Sequence, residues 1–404
     1  MKKTMALFGS WGWYGENSKP GINVCEYDDG KFKSIKGYYE GVVVGSPVVI
    51  SDKGILYFIN ETRDTADLAR EGGYAYAARL CGKEIIPINQ IKTYSTNPCY
   101  CVLDSTQQYL VIVHHASGQD YASKIYRDEN GKVRSKVEYD DAAVELVKIN
   151  EDGSLGEILD FHYHDPAFPG KRSFLHGVFR IPDTDIFMVV DKGLNSVYTY
   201  TINYNLGRLV LLDEVELKYN AAPKYLTFVP GKKLAYVCYE LDPSVAIVKY
   251  DDVSGKLEHL GDFPLQIEDR IMCGQQDFAY SPVKDIMYII MYEMGENAVK
   301  ANADVKKLNN SWSNFSHNWG KSDTIIGVYD ISDSLNPKLI QYVSTERQGC
   351  RRMNLTPDNK YILAFNTSSN EISRLRIEED GKLTLLDHQD WHAPENVTYF
   401  ELEE

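Results

Sequence analysis

Six residues of mixed chemistry stand at one place relative to a recurring turn. Counting six positions back from the turn proline, or from the residue in its place, gives Ser46, Cys99, His176, Lys224, Gln276 and Arg351. A histidine there can take a proton from water near neutral pH. Lys224 and Arg351 are cations able to hold a carboxylate or phosphate, or to stabilise an oxyanion. The ends of the strands that follow add Asn60, Glu61, His114, His115, Asp191, Lys192, Tyr239, Glu240, Tyr292, Glu293 and Asn366. Glu240 can orient Lys224 or shuttle a proton, and the same pair also reads as a plain structural ion pair. Arg352 directly follows Arg351, and paired arginines in an acidic chain suggest an anion site. These are the parts of ester chemistry, with His176, Glu240 and Lys224 in catalytic roles. Arg351, Arg352, His114, His115, Gln276 and Tyr292 would face the substrate. No carboxylate triad of convincing spacing accompanies His114-His115, so neither a metal nor another cofactor is expected. His162 and His164 stand in a segment that leads towards His176, and read as pocket wall or as a surface strand end.

These positions converge only if the chain repeats, and it does. An apolar strand after a turn recurs at 51–60, 104–114, 181–191, 229–239, 281–291 and 356–366. An alternating strand recurs at 22–27, 74–80, 143–149, 196–202, 244–250, 324–331 and 371–377. A turn of the Asp-Gly-Lys type follows each, as at Asp29-Gly30-Lys31 and Asp380-Gly381-Lys382. A further strand precedes each proline-type turn. Its last copy, at 396–402, finds a partner only at the other end of the chain, in Ala6–Trp11. Four strands per repeat of about 50 residues, with no long 3.6-residue periodicity, predict an all-β seven-bladed propeller. Its antiparallel blades have four strands each, and the two chain ends share one blade and close the ring. The whole chain, 1–404, reads as one domain. Three stretches break the period, at 61–72, 116–141 and 294–322. Each lies between the second and third strands of a blade, so all three are expected on one face. The last carries Trp312 and Trp319 and reads as a lid or pocket wall, or as a surface for homo-oligomer contact.

Composition limits the partners. The formal net charge of −15 repels phosphate backbones and anionic lipid heads, which argues against nucleic-acid and membrane-surface roles. Twenty-nine tyrosines against 14 phenylalanines suit half-buried strand positions. The seven cysteines include no CxxC pair and read as reduced thiols in a reducing compartment. With no apolar run long enough to span a bilayer and no signal-like start, the cytoplasm is the expected location.

Several segments resemble the seven-bladed propeller lactonases, the family of 6-phosphogluconolactonase and the fungal 3-carboxy-cis,cis-muconate lactonizing enzyme. Gly9-Ser10-Trp11 followed by Gly21-Ile22-Asn23-Val24-Cys25-Glu26-Tyr27 is similar to that family's opening. Asn97 to Asp104, Leu175 to Pro182, Ala222 to Phe228 and Tyr236 to Leu241 resemble its blade motifs in order and spacing. The resemblance implies that His176 and Glu240 are the catalytic histidine and glutamate. Lys224 stands where the family has an arginine, Tyr292 near another family arginine, and Tyr100 where it has a histidine, which adds Tyr100 to the residues expected to bind substrate. The implied activity is hydrolysis, or the reverse cyclisation, of a small carboxylated or sugar-derived lactone without a metal. An isomerase or lyase acting on a related acid, and a non-catalytic binding scaffold, are the alternatives.

Overall fold

A strand apolar on both faces must be sandwiched between neighbours, whereas a strand with one polar face can border water. The second strand of each repeat is of the first kind. Ile55–Asn60, Tyr109–His114, Ile186–Asp191, Leu234–Tyr239, Ile286–Glu293 and Tyr361–Asn366 are buried along almost their whole length. The fourth strands, such as Arg208–Glu216 and Leu257–Pro264, keep exposed residues along one face and form the outer rim.

The computed structural model describes residues 2–11, 21–62, 73–116, 121–139, 141–164, 172–268, 270–293 and 323–403. Its strands form seven antiparallel blades. We number the blades from the one that opens at Val49. Their first, innermost strands are Val49–Ile50, Pro98–Leu103, Leu175–Arg180, Pro223–Phe228, Arg270–Tyr280, Cys350–Leu355 and Pro394–Glu403. From Val49–Ile50 round to Pro394–Glu403 each packs beside the next around a central channel, and Thr398 of the last donates to Val48 O just before the first. Seven apolar clusters fill the seven spaces between blades. In one of them, Tyr57 and Ile59 of blade 1 meet Ile112 and Val147 of blade 2.

Blade 7 is made by both chain ends. Lys2–Ser10 pairs antiparallel with Pro394–Glu403, with Leu7 opposite Thr398, so the ring closes as expected. Blade 5 gains a short extra strand, Gln266–Ile267. The stretch 116–141 contains a hairpin, Tyr121–Arg127 paired with Val133–Tyr139. Its turn holds Asn130-Gly131, and Gly131 has φ 75°, a conformation glycine adopts without strain. Apart from Glu61 and Thr62, the stretch 61–72 lies outside the described residues, as does 294–322 with Trp312 and Trp319. Among the described residues no helix is long and apolar enough to cross a membrane.

Ring closure rests on apolar packing at the shared blade. Phe8 is wholly buried, with its ring 5.1 Å from Phe32, 5.1 Å from Phe365 and 4.8 Å from Trp391. Phe8→Ala empties that space in the closing blade and should cost ~3–5 kcal/mol of stability, read from the midpoint of urea denaturation. A change below ~1 kcal/mol would show that closure does not depend on this packing.

Candidate active site

In a regular strand, alternate residues point into the two neighbouring blades and none points along the channel. The innermost strands escape this by a β-bulge at the same place in blade after blade. In blade 2, Pro98 opposes His114 and Tyr100 opposes Val113, leaving Cys99 unopposed. His176 is skipped in the same way between Leu175 and Gly177, and Lys224 between Pro223 and Tyr225. Arg351 falls between Cys350 and Arg352, and Glu395 at the register shift between Asn396 and Pro394. A bulge gives two residues to one partner and re-aims a side chain. The residue two positions earlier is left-handed in four of the five blades, as Asn97, Ala222, Gly349 and Ala393.

The aimed side chains form two connected groups. In the first, Glu240 pairs with Lys192 at very short range and lies 3.6 Å from Lys224 Nζ. The His115 ring lies edge-on to His176 with centroids 5.3 Å apart, and His176 is 4.9 Å from the Tyr225 ring. Nδ1 of His176 is buried with no hydrogen-bond partner. In the second group, the Arg351 guanidinium lies 3.5 Å from the Trp11 ring centroid and bonds the Glu395 carboxylate at 2.9 Å. Arg352 Nη2 donates to Tyr225 Oη at 3.0 Å, and its guanidinium is 5.6 Å from the Tyr100 ring. Tyr225 therefore touches both groups.

The electrostatics divide the titratable groups. Burial and then the positive charge of Lys224 hold His176 well below the usual histidine range. His115 is lowered to about 4, by burial and then by Lys192. Burial, partly offset by Glu240, brings Lys224 down to about 8. Burial would raise Glu240, but Lys192 and Lys224 overcome it and hold the carboxyl at about 2. Glu61 goes the other way. Burial raises it to about 7 against the pull of Arg351, helped by the nearby Glu395. The carboxylate fits there only because Gly45 has no Cβ, which would overlap it. Asp277 is likewise raised by burial, to about 6, although Arg352 pulls it down.

The structure brings His176, Lys224, Glu240, Arg351, Arg352, His115 and Tyr100 to this mouth. It does not bring His114, which is fully enclosed, with Nδ1 3.2 Å from Ala143 O and Nε2 3.7 Å from Glu145. Adjacent strand residues point opposite ways, so of His114 and His115 only one can reach the channel. Tyr292 is 1% exposed and packs with Ile326, Cys350 and Trp11 between blades 5 and 6. The side chain of Gln276 lies outside the described residues. His164 bonds Asp191 at 2.9 Å and Tyr200 at 2.6 Å, a brace away from the channel. Glu395, Trp11, Tyr225 and Asp277 were not singled out from the sequence. Glu395 had a signal, since Pro394-Glu395 repeats Pro98-Cys99 and Pro223-Lys224.

Comparison with known proteins agrees with this architecture. The family model described as "Lactonase, 7-bladed beta-propeller" matches residues 10–399. The 6-phosphogluconolactonase of Bacillus subtilis is 21% identical over 385 residues, covering 94% of this chain and 93% of its own. The solved periplasmic gluconolactonase of Pseudomonas aeruginosa superposes with a TM-score of 0.75 over all of both chains at 16% identity. A Lactobacillus plantarum protein of solved structure gives 0.72 at 20% identity, again over all of both chains. At these identities the two structures speak for the fold alone.

Glu395 is wholly buried between Arg351 and Arg352. Removing one member of a buried charge group leaves the others uncompensated, so Glu395→Ala should cost about 3–5 kcal/mol in chemical denaturation. A loss below about 1 kcal/mol would mean the arginines are neutralised by something other than Glu395.

Proposed function

The chain belongs to the seven-bladed β-propeller lactonase family, and on that premise we propose that it hydrolyses a small anionic lactone, carboxylated or sugar-derived. The observation that carries this reading is the concentration of four cations, Lys192, Lys224, Arg351 and Arg352, at one channel mouth of a chain whose net charge is −15. Such a field draws an anion in against the charge of the whole protein. Glu240 and Glu395 hold those cations in place, and Glu61 and Asp277, raised to about 7 and about 6, add their charge only as pH rises.

In the proposed reaction, neutral His176 takes a proton from water through its unpartnered Nδ1. The water oxygen attacks the lactone carbonyl, and Lys224 stabilises the oxyanion that develops. When the tetrahedral intermediate collapses, the ring C–O bond breaks. The imidazolium returns its proton to the departing alkoxide, giving a hydroxy acid. Arg351 and Arg352 hold the substrate's anionic group. Glu240 keeps Lys224 oriented, and Tyr100 and His115 shape the walls. We also place the protein in the cytoplasm, since its six described cysteines are free and five of them buried, as suits a reducing compartment. We likewise read the chain as a single propeller domain.

The direct test is proton release from glucono-δ-lactone and its 6-phosphate. Wild type should turn over the phosphorylated lactone faster, and His176→Ala should lose ~10²–10⁴-fold in kcat while its circular dichroism stays unchanged. Full activity in His176→Ala would remove the histidine from the mechanism. No turnover of any carboxylated or phosphorylated lactone by wild type would remove the function.

The pH profile gives a second check. Lys224 acts as a cation and loses its proton as pH rises through about 8, so kcat/KM should fall above that point. Glu61 becomes an anion beside Arg351 above about 7, which should raise KM from there upwards. The acid side should stay flat to well below pH 6.5, because His176 remains neutral there. Lys224→Arg keeps the charge and should move the alkaline limb up by at least one pH unit. An unmoved limb in that variant would assign it to another group.

A further inference from the structure

The third strand of every blade offers an internal control. In blades 1 to 6 its residue opposite the fourth position of the strand before it is Tyr76, Glu145, Tyr198, Ala246, Gly327 and Ser373. Among these six blades only blade 2 puts a carboxylate there. Further along the same face, Val147 and Ile149 pack into the apolar cluster between blades 1 and 2. The strand therefore changes from core to charge at the top of the cleft between those blades.

Glu145 is 1% exposed. Its Oε1 accepts the backbone N–H groups of Tyr94 and Ser95, at 3.0 and 3.1 Å. Its Oε2 has no hydrogen-bond partner. His114 Nε2 lies 3.7 Å from it. The Ala143 carbonyl can only accept, so it takes the Nδ1 proton of His114. At 3.7 Å from each other, His114 Nε2 and Glu145 Oε2 are both buried without a hydrogen bond. A buried carboxylate in that setting calls for a cation.

Glu145 also lines a cavity of about 280 Å³ whose walls include Tyr94, Asp141, Phe161 and Tyr163. Three of these are large aromatic residues left open, at 75%, 56% and 51% exposed for Tyr94, Phe161 and Tyr163. The pairing register explains the arrangement. Phe161 lies directly opposite Glu145, and Tyr163 opposite the small Ala143, so both rings stand on the carboxylate's face of the strand pair. The Phe161 and Tyr163 rings are near-parallel, with 6.1 Å between centroids. Aromatic faces around a carboxylate attract organic ammonium groups, and the anionic floor excludes carboxylates and phosphates.

We propose that this cleft between blades 1 and 2 is a second binding site, separate from the channel, for a small organic ammonium ion. The ammonium donates to Glu145 and lies among Tyr94, Phe161 and Tyr163, and the short apolar stem of the ligand fills the rest of the cavity.

Isothermal titration calorimetry of the full chain, with n-butylammonium chloride and sodium butyrate at equal ionic strength, tests this. Butylammonium should saturate one site and butyrate none. Glu145→Gln should weaken butylammonium at least tenfold, and Phe161→Ala, which removes an exposed ring, should weaken it roughly three- to tenfold. His176→Ala should bind butylammonium as wild type does, so a failure of the lactonase reading leaves this one standing. Equal binding of the two ions, no binding of butylammonium, or unchanged affinity in both site variants would overturn the proposal. Should Glu145→Gln lose its fold, Phe161→Ala and Tyr163→Ala decide the matter alone.

Discussion

The candidate site depends on one backbone irregularity repeated around the ring. A strand with strict two-residue alternation sends every side chain into one inter-blade space or the other. Were the innermost strands regular, His176, Lys224, Arg351 and Glu395 would have to lie in the apolar clusters between blades. The bulge at their first turn gives each an unopposed position instead. The left-handed residues that enter these strands include two alanines, Ala222 at φ 58° and Ala393 at φ 41°. Neither is a residue that favours that region, so local conformational cost is accepted where the chain must deliver a charge.

Delivering charges to a half-enclosed space creates a second constraint, that they compensate one another. Lys192, Lys224, Arg351 and Arg352 are each less than a tenth exposed, and so are Glu240 and Glu395. The carboxylates then separate by environment. Glu240, beside two lysines, is held at about 2 and is a fixed anion. Glu61 and Asp277, with less direct partners, rise to about 7 and about 6. Groups of one chemical type thus serve either as permanent braces or as sites that change charge near neutrality. A site of this design carries its largest positive potential on the acid side of neutrality.

The fold was legible because propeller repeats write their strands in order, and because the one missing strand at 396–402 had its partner at the opposite terminus. Much of the site was legible too, since a fixed distance from the turn proline marks the bulge in blades 2, 3, 4 and 6. That ruler failed in blade 7, where the chain ends before another turn, and Glu395 was missed although its Pro-X dipeptide matches two other blades. It also could not tell which of two adjacent strand-end residues faces inward. Thus His114 is expected at the mouth but is packed away from it. The hairpin within 116–141 carried its own sign in Asn130-Gly131, a pairing typical of tight turns. Contacts that cross the ring, such as Arg351 on Trp11 and Arg352 on Tyr225, join residues hundreds or scores of positions apart, and no local pattern encodes them.

The low basicity of His176 bears on how the proposed base would work. After burial, the largest influence holding it down is the charge of Lys224, followed by His115 and Lys192. An empty channel therefore keeps the imidazole neutral but gives it little driving force to accept a proton. An anionic substrate paired with Lys192, Lys224 or Arg351 would cancel much of that repulsion, and the oxyanion forming at the carbonyl would cancel more. The histidine would thus become a stronger base as the substrate settles and stronger still as the reaction proceeds. Binding energy from the anionic group would in this way be realised in the transition state rather than in the resting complex. On that reading the cluster of cations does more than capture substrate. It keeps the base idle until a substrate of the right charge arrives.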